Sequence, residues 1–493
     1  MKPLCLIIFA AAITSNLVAK QPNIIMFAVD DMSDWIGPMG YSQAVTPNID
    51  RLAAAGVTFQ NAHTAGIYCA PSRTALFTGR HSSTTGCYNG QVYFVADPGI
   101  KPLQVAMQEA GYLTYGAGKL FHHTEGQIDL RGWDEFFHRS DELKQDGWHL
   151  KDWTTESPYL PQPYPNSKYN RSEGRPTKAP WFLEWGVVPE EHAENIPDSI
   201  RTKWACNKLQ KEYDKPFFLA VGLYAPHFPN YVPQEYFDLY DRDAILPPEY
   251  LETDLEDLPD KIRKQKIGRG KIHRHLQSID AVKDAIHGYL ASISYADAML
   301  GRVLDALGQG PHAGNTILVL WSDHGYHHGQ KFDWGKHTLW ERTSNVPFLW
   351  AGPGIAGKQS IDASVSLIDL YPTLLEIAGG TEDPDLDGQS LAKILANPGL
   401  ARDRNVFLPG MKPNEYAIMN QAWRYIHYAD GEEELYDVRE DPNEWHNLAN
   451  NPEYDQIKKD LADSAPQTFA KPAYNKNEYK LATDGENFEW VKK

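Results

Sequence analysis

The sequence of 493 residues lacks three features that mark large classes of protein: long apolar runs, an excess of basic residues and a high density of cysteine. No stretch approaches 18 uninterrupted apolar residues, so we predict no membrane-spanning helix. The 47 basic and 65 acidic side chains give a formal net charge of -18, which argues against nucleic acid as the main partner. An acidic protein that binds an anionic substrate must concentrate positive charge at its site.

The first residues of the chain are typical of a signal peptide. Lys2 precedes the apolar run Leu4–Ala12, and Leu17–Ala19 forms a small-residue cleavage site. We therefore predict a signal peptide over residues 1–19 and a soluble protein that is periplasmic or secreted. A cytosolic protein whose first strand is buried is the alternative.

Three cysteines remain after this cleavage, namely Cys69, Cys87 and Cys206. Three are too few for a disulfide scaffold, although Cys87 and Cys206 could pair if Cys69 is modified. A hydrophobic content of 42%, with no internal repeat and no low-complexity tract, indicates a folded chain with one large core and a smaller one.

Continuous apolar runs recur along the chain, and such runs are typical of strands that are buried on both faces of a parallel sheet. They alternate with segments of helical spacing, such as the one that begins at Thr46-Pro47 and ends at Gly56, and His287–Leu307. This alternation predicts an α/β fold with a doubly wound sheet. The predicted strands are Asn23–Val29, Gly111–Gly118, Phe217–Leu223 and Thr316–Trp321.

Polar side chains follow each predicted strand, at the edge where open α/β sheets bind their ligands. Adjacent carboxylates repel each other unless a cation lies between them, so Asp30 and Asp31 predict either a metal site or a solvated turn. Lys119 and His122 are either substrate ligands or ordinary surface residues. The full set is Asp30, Asp31, Lys119, His122, His227, Asp323 and His324.

Segments outside the predicted sheet differ in composition. Residues 138–200 combine prolines with Trp and Tyr side chains and predict long loops, whose rings either contact a sugar or pin the loops to the body. Residues 249–260 are acidic and residues 261–275 basic, which favours a solvated helix and loop over a docking patch for a polyanion. Short strand patterns predict a small antiparallel α+β subdomain over residues 401–493, after a main domain over residues 20–400.

Residues 69–80, Cys-Ala-Pro-Ser-Arg-Thr-Ala-Leu-Phe-Thr-Gly-Arg, predict a turn that leads into a short helix. Pro71 suits a first helical position and Ser72 a capping position. The free N–H groups of such a helix start favour an anion, with Cys69 at its mouth and the Arg73 guanidinium near the sulfur. Cys-x-Pro alone is more often a buried cysteine before an ordinary helix, but a string of this length is hard to match by chance.

This string resembles the signature of the type I sulfatases, whose cysteine is oxidised to formylglycine by a maturation enzyme. In that family the enzyme reads the positions that Cys69, Pro71 and Arg73 occupy here. The resemblance covers residues 23 to 450 and is strongest to the iduronate-2-sulfatase branch, which includes bacterial enzymes acting on polysaccharides. It implies an alkaline-phosphatase-like fold with a catalytic main domain. The branch's other motifs appear as Gly118–His122, Ala225–His227 and Trp334–Lys336.

The resemblance also implies a calcium site. Calcium prefers oxygen ligands, so His324 is the unusual residue among the implied calcium ligands. Many sulfatases carry Asn at this position, and the iduronate-type branch carries His. The implied ligands are Asp30, Asp31, Asp323, His324 and the modified Cys69.

The implied reaction begins with hydrated formylglycine, one hydroxyl of which attacks sulfur. His227 would protonate the leaving alcohol, and His122 is the candidate base for the step that expels sulfate. The positive charge that the acidic bulk requires would come from Arg73, Lys119 and Lys336, which face the sulfate oxygens.

Export, the aromatic loops, the basic run over residues 261–275 and the branch together predict a sulfated carbohydrate substrate: oligosaccharides of ulvan or carrageenan, or a glycosaminoglycan. Loops over residues 138–200 that seal a deep pocket would restrict action to chain ends. A phosphonate or phosphate ester hydrolase of the same superfamily is the first alternative. A non-catalytic sugar-binding relative is the second, and the intact nucleophile, base and lysine set disfavours it.

Overall fold

The computed structural model describes residues 21–122, 127–137, 183–475, 478–483 and 488–493. The predicted signal peptide lies outside these ranges. So do residues 138–182 of the predicted aromatic loops, which leaves Trp185 as the described member of that aromatic set. None of the described helices is both long and apolar enough to cross a membrane.

A central sheet of eight strands organises the main body, in the order β8-β2-β7-β6-β1-β5-β3-β4. Strand β7 runs antiparallel to both of its neighbours, and the other described pairs in this sheet are parallel. The α/β prediction is therefore confirmed. The strands are β1 (Asn23–Val29), β2 (Gly56–Phe59), β3 (Leu113–Gly118), β4 (Glu135–Phe137), β5 (Phe217–Gly222), β6 (Thr316–Ser322), β7 (Phe348–Ala351) and β8 (Gln359–Ile361).

Helices cover both faces of this sheet, because successive side chains of a strand point to opposite faces. Ile24 and Met26 of β1 pack in one apolar cluster, and Ile25 and Phe27 pack in the other. Helices α2, α3 and α8 pack on the first cluster and α1, α4 and α7 on the second. The longer helices are α1 (Pro47–Ala55), α2 (Cys69–Thr78), α3 (Leu103–Glu109), α4 (Pro197–Leu209), α5 (Asp260–Arg269), α6 (Lys271–Ser278), α7 (Val282–Gln309), α8 (Leu370–Ile377) and α9 (Asp455–Ala462).

Shorter elements connect these layers. The short helices are Ser82–Thr85, Tyr93–Ala96, Gln234–Phe237, Glu341–Ser344 and Ala392–Ala396. The two-stranded pairs are Ala62–His63 with Val365–Ser366, Trp185–Val188 with Asn230–Pro233, His327–His328 with Trp334–Gly335, and Tyr479–Thr483 with Phe488–Lys492.

The C-terminal region forms a second, antiparallel sheet, as the short strand patterns predicted. Helix α9 packs against it through Leu461. The domain boundary near residue 400 stays a prediction. The strands are β9 (Val406–Pro409), β10 (Tyr416–Met419), β11 (Trp423–His427) and β12 (Glu433–Asp437).

Two details of the sequence analysis are settled by this fold. Cys87 packs on one face of the central sheet and Cys206 on the other, and both are free thiols. The basic run forms α5 and α6, where the buried Lys266 ammonium group donates to Asp333 at 2.6 Å and the exposed Lys261 pairs with Asp430 at 2.6 Å. Part of the run's charge is thus neutralised within the chain.

Candidate active site

The register of strands β1 and β6 brings two acidic residues together at one edge of the central sheet. Val29 lies opposite Ser322, so Asp30 and Asp323, the next residue of each strand, emerge side by side. Asp31 follows with a φ of 62°, in the left-handed region, and its N–H donates to the Asp323 carboxylate at 3.2 Å. Three carboxylates are thus buried at one point.

A pair of glycines places Lys119 at the same edge. A Cβ at Gly118 would lie 2.0 Å from the carbonyl oxygen of Gly222, and Gly118 has a φ of 74°. The close approach of β3 and β5 therefore needs glycine at this position. Lys119 extends the pairing of β3 with β5 by one residue, because its N–H donates to the Gly222 carbonyl at 2.9 Å.

The sulfur of Cys69 lies among charged groups, and the residue is 1% exposed. The ammonium nitrogens of Lys336 and Lys119 lie 3.3 Å and 3.8 Å from Sγ. His324 Nε2 lies at 3.2 Å and an Asp30 carboxylate oxygen at 3.6 Å. Two cations, an imidazole and a carboxylate therefore surround the predicted nucleophile precursor.

These charges change the ionisation of the site. Burial and Asp30 raise the pKa of Cys69, but Lys119 and Lys336 outweigh them and lower it to about 7. Burial also tends to raise the pKa of Asp30, but Lys119 and His227 help to hold it well below its usual range. The thiol is thus poised close to ionisation at neutral pH.

Helix α2 is anchored to the strand ends by Arg73 and Ser72. The Arg73 guanidinium donates to Asp323 at 2.9 Å and to Asp30 at 3.3 Å, and also to the Lys119 carbonyl. Ser72 is the fourth residue of the helix, and its hydroxyl donates to the Asp323 carbonyl at 2.6 Å. Because the helix begins at Cys69, the predictions of Pro71 at the first helical position and of Ser72 as a cap are both wrong.

Lys336 and His324 complete the cluster around Asp31. Lys336 Nζ donates to Asp31 Oδ1 at 2.7 Å, and His324 Nδ1 lies 3.2 Å from the same oxygen. His324 Nε2 lies 3.3 Å from Asp323 Oδ2. The imidazole therefore lies between two carboxylates.

The three carboxylates of this cluster offer oxygen donors that suit a hard divalent cation, next to one thiol and one imidazole. Single donor atoms of Asp30, Cys69, Asp323 and His324 all lie within 4.8 Å of one another. Asp31 Oδ2 is buried and accepts no hydrogen bond from the described residues. A buried carboxylate oxygen without a donor is costly, and a cation that it coordinates would remove this cost.

The two predicted acid–base histidines lie in different places. His227 Nε2 is 3.5 Å from Asp31 Oδ2 and within 4.8 Å of the Cys69 sulfur, and its Nδ1 contacts the Phe228 carbonyl. The His122 ring lies at 87° to the Tyr68 ring, with 6.0 Å between their centroids. Burial and neighbouring cations hold the pKa of His122 well below its ordinary value, so this imidazole is neutral at neutral pH. The roles of both residues stay predictions.

Residues of the C-terminal sheet hold the Lys336 segment, and no sequence motif had pointed to them. Arg424 of β11 donates to the Leu339 carbonyl at 2.9 Å, and Trp340 Nε1 donates to Glu434 of β12 at 2.7 Å. All four of these residues are buried. The sequence gives one indication of their role, which is that Arg424 and Glu434 are charged residues within short apolar strand patterns. This pattern does not show which residues they contact.

A second missed residue is Asp198 of α4. Its carboxylate accepts hydrogen bonds from the backbone N–H groups of Tyr224 and Ala225, each at 2.9 Å, and pairs with Arg201 at 2.8 Å. These bonds hold the segment that leads from β5 to His227. No sequence pattern pointed to this acid.

Two family models match the chain. The model described as sulfatase matches residues 22–380, and that described as N-sulphoglucosamine sulphohydrolase, C-terminal, matches residues 327–470. A sulfatase of Formosa agariphila is 36% identical over 448 residues, which cover 87% of this chain and 83% of the relative. Human iduronate 2-sulfatase is 29% identical over 412 residues, 74% and 70% of the two chains.

Two solved structures show the same fold. BT4656 in complex with its substrate D-glucosamine-2-N,6-O-disulfate has a TM-score of 0.67 at 21% identity, over 90% of this chain and 96% of the other. The phosphonate monoester hydrolase of Agrobacterium radiobacter has a TM-score of 0.67 at 20% identity, over 96% and 99%. The fold is the alkaline-phosphatase-like fold that the sequence resemblance implied. The family model that spans most of the chain and the relative of 36% identity establish that this protein is a member of the sulfatase family, the sulfuric ester hydrolases.

Proposed function

We propose that this sulfatase is an exported, calcium-dependent enzyme that carries formylglycine at Cys69 and removes sulfate from sulfated oligosaccharides. The observation that carries the proposal is the surroundings of Cys69: two ammonium groups within 3.8 Å of its sulfur, beside three buried carboxylates. The cations suit the sulfate oxygens, and the carboxylates suit a metal ion.

Two groups would complete the site. Calcium would be held by Asp30, Asp31, Asp323 and His324 together with the modified Cys69, and it would supply positive charge next to the reacting oxygens. Hydrated formylglycine would supply the nucleophilic hydroxyl. An ordinary hydroxyl side chain would remain as a stable sulfate ester after sulfate transfer.

The side chains of the chain itself then bind the substrate and move protons. Lys119 and Lys336 bind the sulfate oxygens, and Arg73 holds Asp30 and Asp323 in place.

His227 has the geometry of a proton donor. Because its Nδ1 contacts the Phe228 carbonyl, which can only accept, Nδ1 carries a hydrogen and Nε2 faces the site. A protonated Nε2 would donate to the leaving alcohol. The neutral His122 is our candidate for the base in sulfate release.

The carbohydrate class of the substrate is supported by the relatives. The human relative is named for iduronate, and the solved structure of BT4656 holds a sulfated glucosamine. We propose a glycosaminoglycan or algal oligosaccharide, such as one from ulvan or carrageenan, as the substrate of this protein in the periplasm or outside the cell.

The first experiment is mass analysis of the Cys69 peptide together with turnover of aryl esters. We expect the formylglycine mass, and faster hydrolysis of nitrocatechol sulfate than of nitrophenyl phosphate or a phenyl phosphonate. An unmodified cysteine in the fully active enzyme, or a preference for the phosphorus esters, would contradict the proposal and favour the phosphonate hydrolase alternative.

Sulfate release from oligosaccharides should exceed release from the intact polymers. The physical reason is that a site closed to long chains admits only a terminal sugar. We would measure released sulfate from lyase-derived fragments of heparan sulfate, chondroitin sulfate, ulvan and carrageenan, each beside its parent polymer. Faster release from the polymers would indicate an open cleft.

Removal of calcium should lower the melting temperature by about 5 °C, because an ion that binds only the folded state stabilises it. Differential scanning fluorimetry with a chelator, followed by addition of calcium or magnesium, measures this shift. In Asp323→Asn we expect the shift to disappear, since the negative charge of one ligand is lost.

The matched control for this measurement is Asp297→Asn. Asp297 is also a buried carboxylate, but it accepts hydrogen bonds from the N–H groups of Asn48 and Ile49. This variant should melt at a lower temperature and still respond to the chelator. A wild-type protein that is fully active and equally stable without calcium would refute the metal assignment.

A further inference from the structure

The exposed side chain of His337 is an exception in a deeply buried part of the chain. From Thr316 to Trp340 every residue is buried except His337. It directly follows Lys336, whose ammonium nitrogen lies 3.3 Å from the Cys69 sulfur. An imidazole is thus held at the protein surface one residue away from a group that contacts the reacting position.

The backbone at His337 is strained. Its φ is 71°, in the left-handed region that residues other than glycine seldom adopt, with asparagine, aspartate and histidine the most frequent among them. Its N–H donates to the carbonyl of Ile67 at 3.0 Å, and this hydrogen bond holds the conformation. Ile67 lies two residues before Cys69. Strain of this kind persists where the surrounding structure imposes it, and it clusters at sites that bind ligands.

The imidazole of His337 forms a wall with Tyr68. The two ring centroids lie 4.8 Å apart at an angle of 36°. Tyr68 directly precedes Cys69, and its hydroxyl donates to Asn89 Oδ1 at 3.0 Å, so the phenol is fixed in place. The rings of Tyr68 and His122 lie at 87° to each other, with 6.0 Å between their centroids. A row of rings therefore stands beside the predicted nucleophile.

We propose that the wall formed by His337 and Tyr68 binds the sugar residue whose sulfate ester lies at Cys69. This inference rests on the proposed function and adds residues that determine substrate specificity. The imidazole offers an N–H donor to an acceptor oxygen of the sugar, whether hydroxyl, carboxylate or a second sulfate. Tyr68 is 8% exposed and holds the imidazole in place, so the His337 ring is the exposed part of the wall. Nitrocatechol sulfate carries neither a carboxylate nor a second sulfate, and its hydroxyl and nitro oxygens lie in the plane of a flat ring.

The test compares His337→Gly and His337→Asn with the wild type on two substrates, nitrocatechol sulfate and the best oligosaccharide of the fragment panel. Both replacements accept the left-handed backbone. Rates are normalised to the formylglycine content of each preparation. Lys358→Gly is the matched control, since Lys358 is exposed, has a φ of 52° and lies in the turn between β7 and β8.

For His337→Gly we expect the KM for the oligosaccharide to rise about tenfold more than the KM for nitrocatechol sulfate, the size of one lost hydrogen bond to a polar group. The kcat on the oligosaccharide should change far less than KM, because the wall binds the sugar and not the transferring sulfate. His337→Asn should lie between Gly and wild type. The melting temperature should not fall in either variant, and Lys358→Gly should match the wild type in both KM values.

Equal changes of KM on the two substrates would contradict the proposal that the wall binds the sugar, since the His337 ring would then not distinguish a sugar from an aryl group. A lower melting temperature with unchanged KM values would assign His337 a purely structural role. If the wild type hydrolyses nitrocatechol sulfate but no oligosaccharide, the proposed carbohydrate function fails, and this inference fails with it. The wild-type measurement therefore separates the two failures.

Discussion

The Cys69→Ala variant is expected to fold like the wild type and to lose turnover of sulfate esters by at least about 10⁴-fold. The sulfur faces Lys119, Lys336, His324 and Asp30 and not the apolar clusters, so its removal takes little from the core. The chemistry has no substitute, because alanine can neither be oxidised to formylglycine nor attack sulfur. Initial rates on nitrocatechol sulfate and a thermal melt measure the two effects.

Cys87→Ala is the matched control for this variant. Cys87 belongs to the apolar cluster under one face of the central sheet, and burial raises the pKa of its thiol to about 11, so it is an inert core residue. Its replacement should lower the melting temperature and leave the rate per folded molecule intact. Turnover by Cys69→Ala at the wild-type rate would show that Cys69 is not the precursor of the nucleophile.

The second large effect is expected for His227→Ala on substrates with poor leaving groups. A sugar alkoxide needs a proton as the bond to sulfur breaks, and His227 Nε2 faces the cluster around Asp31. Without this proton donor, kcat on a sulfated oligosaccharide should fall by about 10³-fold. On nitrocatechol sulfate, whose leaving group is stable as an anion, the fall should be less than about tenfold.

His328→Ala is the matched control for His227→Ala. His328 is also buried, but it packs against the rings of Trp35, Tyr289 and Trp334, and burial lowers its pKa to about 3. Its loss should reduce stability and affect both substrates equally. If His227→Ala also slows both substrates equally, the proton donor is another group, and His122 is the first to examine.

Much of the fold and the centre of the site could be predicted from local patterns. Asn23–Val29 is a strand at the predicted bounds, and α1 ends before Gly56 as expected. The acidic pair after β1 and the Asp323-His324 pair after β6 do lie together, since parallel strands end at one edge of a sheet. These inferences succeed because burial and strand direction are encoded in short stretches of chain.

Predictions that depended on distant partners were incomplete. Ser72 was assigned to a helix cap, whereas its hydroxyl bonds to the carbonyl of Asp323, far along the sequence. Arg73 was expected near the sulfur, and the structure shows it joining the carboxylates of Asp30 and Asp323. A local sequence pattern indicates which side chains need a hydrogen-bond or ion-pair partner. It does not indicate which distant residue is that partner.

By itself, then, the sequence determined the α/β class, the strands with polar residues at their ends and the cysteine motif, since hydrophobic periodicity and short motifs are local properties. The tertiary structure alone decided how these parts are held: Arg424 and Glu434 anchor the Lys336 segment, Asp198 holds the segment before His227, and His337 stands exposed beside Tyr68. Each of these contacts joins groups that are far apart in the chain. They come within hydrogen-bonding or stacking distance only when α4, the loops around Cys69 and the C-terminal strands pack against the central sheet.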